Sequence, residues 1–336
     1  MRAREGDIVE ACGAFFDVKG LVHPPGKVVA AIHFLPDQRG DREKGGIIYH
    51  KIFHFSERYL LLKENFPQYL TFDPVFDEHL CEIQVEDIKH HYKPADRLHE
   101  LRSGDRLDEV ERLAVSFIEL LKGSTGVRWG GLGISGSILV KLHTPTSDID
   151  PIVYGSKNCR KVHSALGSLL RSEENSIMPY DSEGLRDLFN FRSKDTIMPF
   201  EDFVRTESRK VLQGKFLGRD YFVRCVKDWD EIKEEYGANR YISKGYAKIK
   251  AKIADDSEAI FTPCRYKIED VRVLDGVHIE PIEEIVSFRG RFCEQAKNGE
   301  CIIAQGKIEQ VNVERGREYY RLLIGNRSSD SMILAH

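Results

Sequence analysis

Two carboxylates placed two residues apart, Asp148 and Asp150 in the run Ser147-Asp148-Ile149-Asp150-Pro151-Ile152-Val153-Tyr154, are the pair in this chain best set by local geometry for metal chemistry. The run alternates like a strand, and residues i and i+2 of a strand project from one face, so both carboxylates point the same way. Hard divalent ions such as Mg²⁺ take carboxylate oxygens together with phosphate oxygens. Two such ions roughly 3.5–4 Å apart activate an attacking hydroxyl and steady a leaving pyrophosphate. Upstream, the glycine-rich run from Trp129 ends at Gly136-Ser137, where the pattern predicts the start of a short helix. Amides at a helix start attract phosphate, and a residue without a side chain lets the phosphate come close. The order along the chain is therefore a phosphate cradle, a short helix and a metal-binding strand.

Gly136-Ser137 followed, after a spacer, by Ser147-Asp148-Ile149-Asp150 resembles the signature of the DNA polymerase β-type nucleotidyltransferases. That signature is an apolar residue, Gly, and Gly or Ser, then Ser or Thr, Asp, an apolar residue and Asp, and the spacing here is that of its small members. The whole chain is also similar to an archaeal group of predicted nucleotidyltransferases. The resemblance implies an enzyme that moves a nucleoside monophosphate from an NTP such as ATP to an acceptor hydroxyl, with Mg²⁺ or Mn²⁺ and release of pyrophosphate. It implies Asp148 and Asp150 as metal ligands, Gly136 and Ser137 as seats of the β- and γ-phosphates, and Ser147 and Lys141 as further nucleotide contacts. Two departures stand out: Val140-Lys141 occupies the place where small members often carry Arg-Gly, and Pro151 the place of a usual aliphatic residue. A third carboxylate is expected on a later strand of the same sheet, as a metal ligand and as the group that helps the acceptor lose its proton. Asp220, at the head of the strand-like run to Trp229, is the first candidate for it and Asp228 the second. The acceptor stays open among an RNA 3′ end, a small molecule and a protein side chain. The alternative is a catalytically silent nucleotide- or RNA-binding protein that keeps the fold.

Three other readings compete for the same residues. Gly131 to Gly136 formally spells the dinucleotide-binding pattern GxGxxG, but that unit needs a strand before the glycines, a long helix after them and an acid ending the next strand. Here Lys122–Trp129 is a poor strand, Pro145 halts any helix early, and the acids begin the next strand. A nucleophile elbow fails because the run from Gly133 to Ser137 lacks the final Gly. The third reading makes the Ser-Asp pair a capped turn with solvated acids, a common use of such pairs.

These residues need elements to hold them, and 336 residues suffice for two or three domains. We expect an α+β chain: a β-rich N-terminal module over 1–100, a polymerase β-like core of mixed sheet and helices over 101–240, and an antiparallel β module, a small barrel, over 241–336. In the first module, Gly and Pro punctuate short apolar runs. Leu35–Gly46 reads as a charged surface loop, and His90 and His91 as part of a polar linker to the core. The core opens with a helix capped by Asp105 and running to Gly123, with apolar residues from Leu107 to Leu121 at helical spacing. Arg186, Arg192, Lys194, Arg205, Arg209 and Lys210 are weighed as triphosphate or acceptor contacts against an ordinary solvated face, and His163 as a helix-surface histidine. In the last module, aromatics and cations including Tyr266, Arg289, Tyr319 and Tyr320 are weighed as acceptor contacts against core positions.

The net charge of −4 argues against a chain-wide grip on nucleic acid and leaves room for a local basic patch. No apolar run of membrane-crossing length exists, and the N-terminus lacks a signal-peptide core, so we expect no membrane partner and a cytoplasmic location. The seven cysteines form no CxxC pair, which predicts reduced, buried thiols rather than a zinc ribbon.

Overall fold

The computed structural model describes residues 1–172, 176–313 and 316–335. The N-terminal module is an antiparallel sheet with one helix. Its strands are β1 (Ile8–Ala11), β2 (Ala14–Val18), β3 (Lys27–Pro36), β4 (Arg42–Lys44) and β5 (Ile47–Lys51). Helix α1 (Phe55–Asn65) follows, then β6 (Leu70–Asp73), β7 (Glu78–Gln84) and β8 (Ile88–Tyr92). The sheet runs β4-β5-β3-β2-β1-β8, with β7 pairing both β3 and β6. Phe16, Ile32 and Ile83 bury one face against α1 and Tyr69. On the opposite face, Ile8, Phe15 and Phe34 meet Leu139, Val140 and Leu142 of the next module. Both faces are thus covered, and the second one is closed by the segment that follows Gly136-Ser137.

Two expectations change here. The charged tract predicted as a surface loop contains β4, and Arg42 on it is buried because its guanidinium donates to the Leu142 carbonyl at 2.6 Å. His90 and His91 lie on β8 rather than in a linker, since β8 adds to β1 and His91 Nε2 meets Asp7 Oδ2 at 2.8 Å. The sheet ends at Tyr92, and the core begins with α2 (Pro94–Ser103), ahead of the predicted boundary.

The core continues with α3 (Glu109–Thr125), β9 (Leu132–Ile134), α4 (Gly136–Leu139), β10 (Pro151–Tyr154), α5 (Ser156–Leu169) and β11 (Ile177–Met178). It closes with α6 (Ser182–Arg192), α7 (Phe200–Glu207), β12 (Gln213–Phe216), β13 (Arg219–Phe222) and β14 (Arg224–Val226). Helix α3 starts at Asp108, not Asp105, because Asp108 and Glu111 satisfy each other's backbone amides in a capping box. It runs past Gly123 to Gly126, whose φ of 67° supplies the left-handed cap that glycine adopts without cost. Val110, Ala114, Phe117 and Leu121 bury its apolar stripe, and Phe117 lies 4.8 Å from the Phe216 ring and 4.7 Å from the Tyr221 ring. In the sheet β10 pairs antiparallel with β9 and parallel with β14, while β11-β12-β13 forms an antiparallel ladder.

The last module is built from β15 (Asn239–Asp255), β16 (Cys264–Gly276), β17 (Ile282–Ser287), β18 (Cys301–Val313), β19 (Glu318–Leu323) and β20 (Ser331–Leu334). Strand β15 is long enough to pair with both β16 and β18, which closes β15-β16-β17-β19-β18 into a five-stranded barrel with β20 added at its side. The expected barrel is present, but not as a purely antiparallel module: β17 and β19 run parallel, because the 288–300 segment intervenes and β18 pairs elsewhere. All seven cysteines are free; five are buried as expected, whereas Cys12 and Cys301 are exposed. Among the described residues no helix is long and apolar enough to cross a membrane.

Candidate active site

Ile149 decides how the two carboxylates point. It is fully buried and bridges Tyr221 in parallel, its amide donating to the Asp220 carbonyl at 2.9 Å while its carbonyl accepts from Phe222 at 3.0 Å. With Ile149 and Tyr221 facing the core, the alternation of an extended chain sets Asp148, Asp150 and Asp220 on the opposite face. The regular strand starts only at Pro151, one residue beyond the second carboxylate.

The Gly-Ser turn reaches the same place from the other side. Ser135 N donates to the Asp150 carbonyl at 2.8 Å, which fixes the start of α4 against the carboxylate pair. Gly136 has φ of 63°, and a Cβ there would lie 2.0 Å from Asp150 Oδ2. Only glycine fits, for backbone conformation and for space. Next to it, the Ser137 side chain is 0% exposed and its hydroxyl has no hydrogen-bond partner among the described residues. A buried hydroxyl without a partner costs about 1–3 kcal/mol, so it marks a place where a further polar group belongs.

Electrostatics confirm that the carboxylates crowd one another. Lost solvation, and then the neighbouring Asp148 charge, push the Asp150 carboxyl up to about 7, against the opposing pull of Lys51 and Arg224. Burial, followed by Asp220 and then Asp148, likewise raises the Tyr180 hydroxyl, against the pull of Arg192. A pair of acids that resists ionising together is the arrangement a divalent ion relieves.

The N-terminal sheet roofs this face. Lys51 at the end of β5 sits opposite Phe34, on the side that meets the core. Arg42, whose guanidinium is lowered by burial and partly restored by Asp41 and Asp148, also lies 3.4 Å from Ser147 Oγ. His33 is 8% exposed, neither ring nitrogen has a hydrogen-bond partner among the described residues, and it lies 3.4 Å from Asp17. Burial, offset in part by Asp17, lowers His33 to about 4, so it is neutral at pH 7. Arg224 on β14 is anchored to Glu5 at 3.0 Å, and Asp17 and Asp150 help hold its charge against burial. Sequence reasoning missed Asp17, His33, Arg42, Lys51 and Arg224, because they belong to other strands and carry no spacing signal of their own.

The remaining predicted residues land unevenly. Asp220 is exposed and pairs with Lys215 at 3.3 Å, on the face of the other two carboxylates. Ser147 lies beside the pair, but its hydroxyl is engaged by the Thr144 amide at 2.9 Å and so shapes the turn. Lys141 is exposed, has φ of 58°, and its ammonium is held by Glu100 on α2. Asp228 lies beyond the far end of β14, where it takes a hydrogen bond from Arg4 at 3.1 Å. Most cations of the 181–217 region do neither predicted job, because they bind protein. Arg192 and Lys210 meet Glu207 at 2.6 and 2.7 Å, and Arg209 meets Glu300 of the barrel module at 2.5 Å. His163 also joins modules, through Glu294 at 2.8 Å. Tyr266 is a core residue, its hydroxyl donating to the Phe292 carbonyl at 2.6 Å. Asp108, Glu111 and His143 form a metal-like cluster, but two of them are already used in the α3 cap.

Uncharacterized protein MJ1086 of Methanocaldococcus jannaschii is 32% identical to this chain over 334 residues, covering 97% of this chain and 96% of the relative. No family model matches the chain. No solved structure matches it either.

Proposed function

From the premise that this chain belongs to one family with the Methanocaldococcus jannaschii protein MJ1086 along nearly its whole length, we propose that it is a metal-dependent nucleotidyltransferase. One observation carries the reading. Gly136 abuts the Asp150 carboxylate while the Ser137 hydroxyl lies buried without a partner among the described residues, so the start of α4 and the residues just before β10 meet at one point. The acid pair suits a hard divalent ion: Asp148 and Asp150 would hold Mg²⁺ or Mn²⁺, while Asp220, on the same face, is not gathered with them into one ligand cluster among the described residues. Bound there, the ion supplies charge neutralisation on the triphosphate and on the departing pyrophosphate. The Gly136-Ser137 turn, set against Asp150, is assigned to the β- and γ-phosphates. Lys51, brought in by the roof, adds positive charge over the same face.

The reaction is then mainly positioning. An acceptor oxygen attacks the α-phosphorus and forms the new P–O bond, the bond from that phosphorus to the β-phosphate oxygen breaks, and pyrophosphate leaves with the electron pair. Asp220, exposed and so open to an acceptor, takes the hydroxyl proton. The test is transfer of α-phosphate-labelled ATP, GTP, CTP and UTP to RNA, metabolites and protein, comparing wild type with Asp148→Asn/Asp150→Asn. Label should move with Mg²⁺ or Mn²⁺ only when both aspartates are intact. If the double variant transfers as well as wild type, the site is not where chemistry occurs; if wild type neither transfers nor binds nucleotide, the enzymatic reading falls.

A further inference from the structure

At the edge of the roof, Phe53 and Phe191 are 41% and 45% exposed, and their rings meet edge to face with centroids 5.8 Å apart. One belongs to the N-terminal module and the other to α6 of the core, so the pair spans the seam between them. Lys51 Nζ lies 5.0 Å from the Phe53 ring, and the Arg289 guanidinium lies 5.9 Å from the ring of Phe55, which is also exposed. Lys194 is exposed shortly after Phe191. Asp195 at this seam is buried and bonded to the Phe55 amide at 3.1 Å and to Arg289 at 3.0 Å, and Glu57 lies 3.4 Å from His50, so Lys51 and Arg289 stand beside the rings, with Asp187 the exposed acid one turn back on α6.

Folding alone does not favour leaving phenylalanines in water beside cations at the rim of a phosphate-binding face. Bases stack on such rings whatever their sequence, while backbone phosphates meet the neighbouring cations. We infer that the Phe53–Phe191 ledge binds the terminal bases of a single-stranded nucleic acid, placing its end toward the carboxylate face as the acceptor. This rests on the transferase reading for the acceptor role, though not for the binding itself. The charge fits the partner: Lys51 is the cation that both touches Phe53 and acts on Asp150, so ledge and site are continuous.

The experiment is fluorescence anisotropy on the full chain with a labelled single-stranded RNA dodecamer, the same sequence as DNA, and the RNA annealed to its complement. Wild type is compared with Phe53→Ala/Phe191→Ala and with Phe53→Tyr/Phe191→Tyr, each checked by thermal melting. Single strands should bind better than duplex, removal of the rings should weaken them by ~tenfold or more, and tyrosines should restore binding to within about threefold. RNA tighter than DNA would name the source of the strand, and equal affinity would make the site a general single-strand ledge. No binding by wild type, a preference for duplex, or an unchanged affinity after ring removal overturns the ledge. Metal-dependent nucleotide binding, followed separately by calorimetry with Mn²⁺ and ATP, tells the two failures apart. If nucleotide does not bind but ring-dependent RNA binding persists, the transferase reading and the acceptor role fall; in the reverse case only the ledge does.

Discussion

Asp150 gives the site a pH signature. Its carboxyl is pushed up to about 7 by lost solvation and by Asp148, whereas in the unfolded chain it titrates near the ordinary value of 3.8. A raised acid holds its proton longer in the folded state, so this group's stabilising contribution is present below pH 4 and is lost as pH rises toward 7. A divalent ion must displace that proton, so below pH 7 apparent affinity should fall by up to ~tenfold per unit, and above pH 8 it should level off. Calorimetric Mn²⁺ titrations from pH 5.5 to 8.5 check this, and an affinity flat across the range would contradict it. The acid pair was legible from residues two apart in a strand-like run, but the need for glycine at 136 was not, since it comes from the Asp150 carboxylate packed against it. Ser137's isolation was not, because whether a hydroxyl finds a partner depends on everything packed around it.

At the scale of elements, the strand end carrying Lys51 does what no core element does: it brings a cation over the carboxylate face. No hydrogen bond or ion pair to another side chain of the protein ties that ammonium down among the described residues, which leaves it available to phosphate. Lys51→Ala should raise the KM for NTP by about five- to tenfold, the worth of one charge-assisted contact, while dependence on Asp148 persists. A KM within twofold of wild type would remove Lys51 from the nucleotide site. An element with its own periodicity, such as α3, was readable in the sequence, since apolar spacing and caps are local. Strand β4 was not: its three residues are Arg, Glu and Lys, and only Arg42's hydrogen bond to the Leu142 carbonyl draws that charge inside.

At the scale of the whole molecule, Asp195 ties three modules together. Against burial, the Phe55 amide, Arg289 and Arg291 hold its carboxyl below the usual range. Burial, and then Arg289 and Arg192, lower Arg291 to about 8, so the cluster already carries more positive charge than it can balance. Asp195→Ala would leave the partly buried Arg289 and Arg291 guanidiniums without their shared acid, Arg291 keeping the Arg192 carbonyl and the Thr196 hydroxyl, and should cost ~2–3 kcal/mol, seen as a lower melting temperature and earlier proteolysis between α6 and the barrel. Melting within a degree of wild type would show that the modules are held elsewhere.

By itself the sequence determined that this is an α+β chain with a β-rich region on each side of the core and that Asp148 and Asp150 share a face. Each of these follows from spacing along one stretch of backbone, where dihedral periodicity alone sets direction. Tertiary structure alone decided that the N-terminal sheet covers the carboxylate face, that Lys51, Arg42 and Arg224 surround it, and that Arg209 and Lys210 reach into the barrel module. Those pairings join residues far apart in the chain, and burial and charge balance choose among them only once the modules have packed.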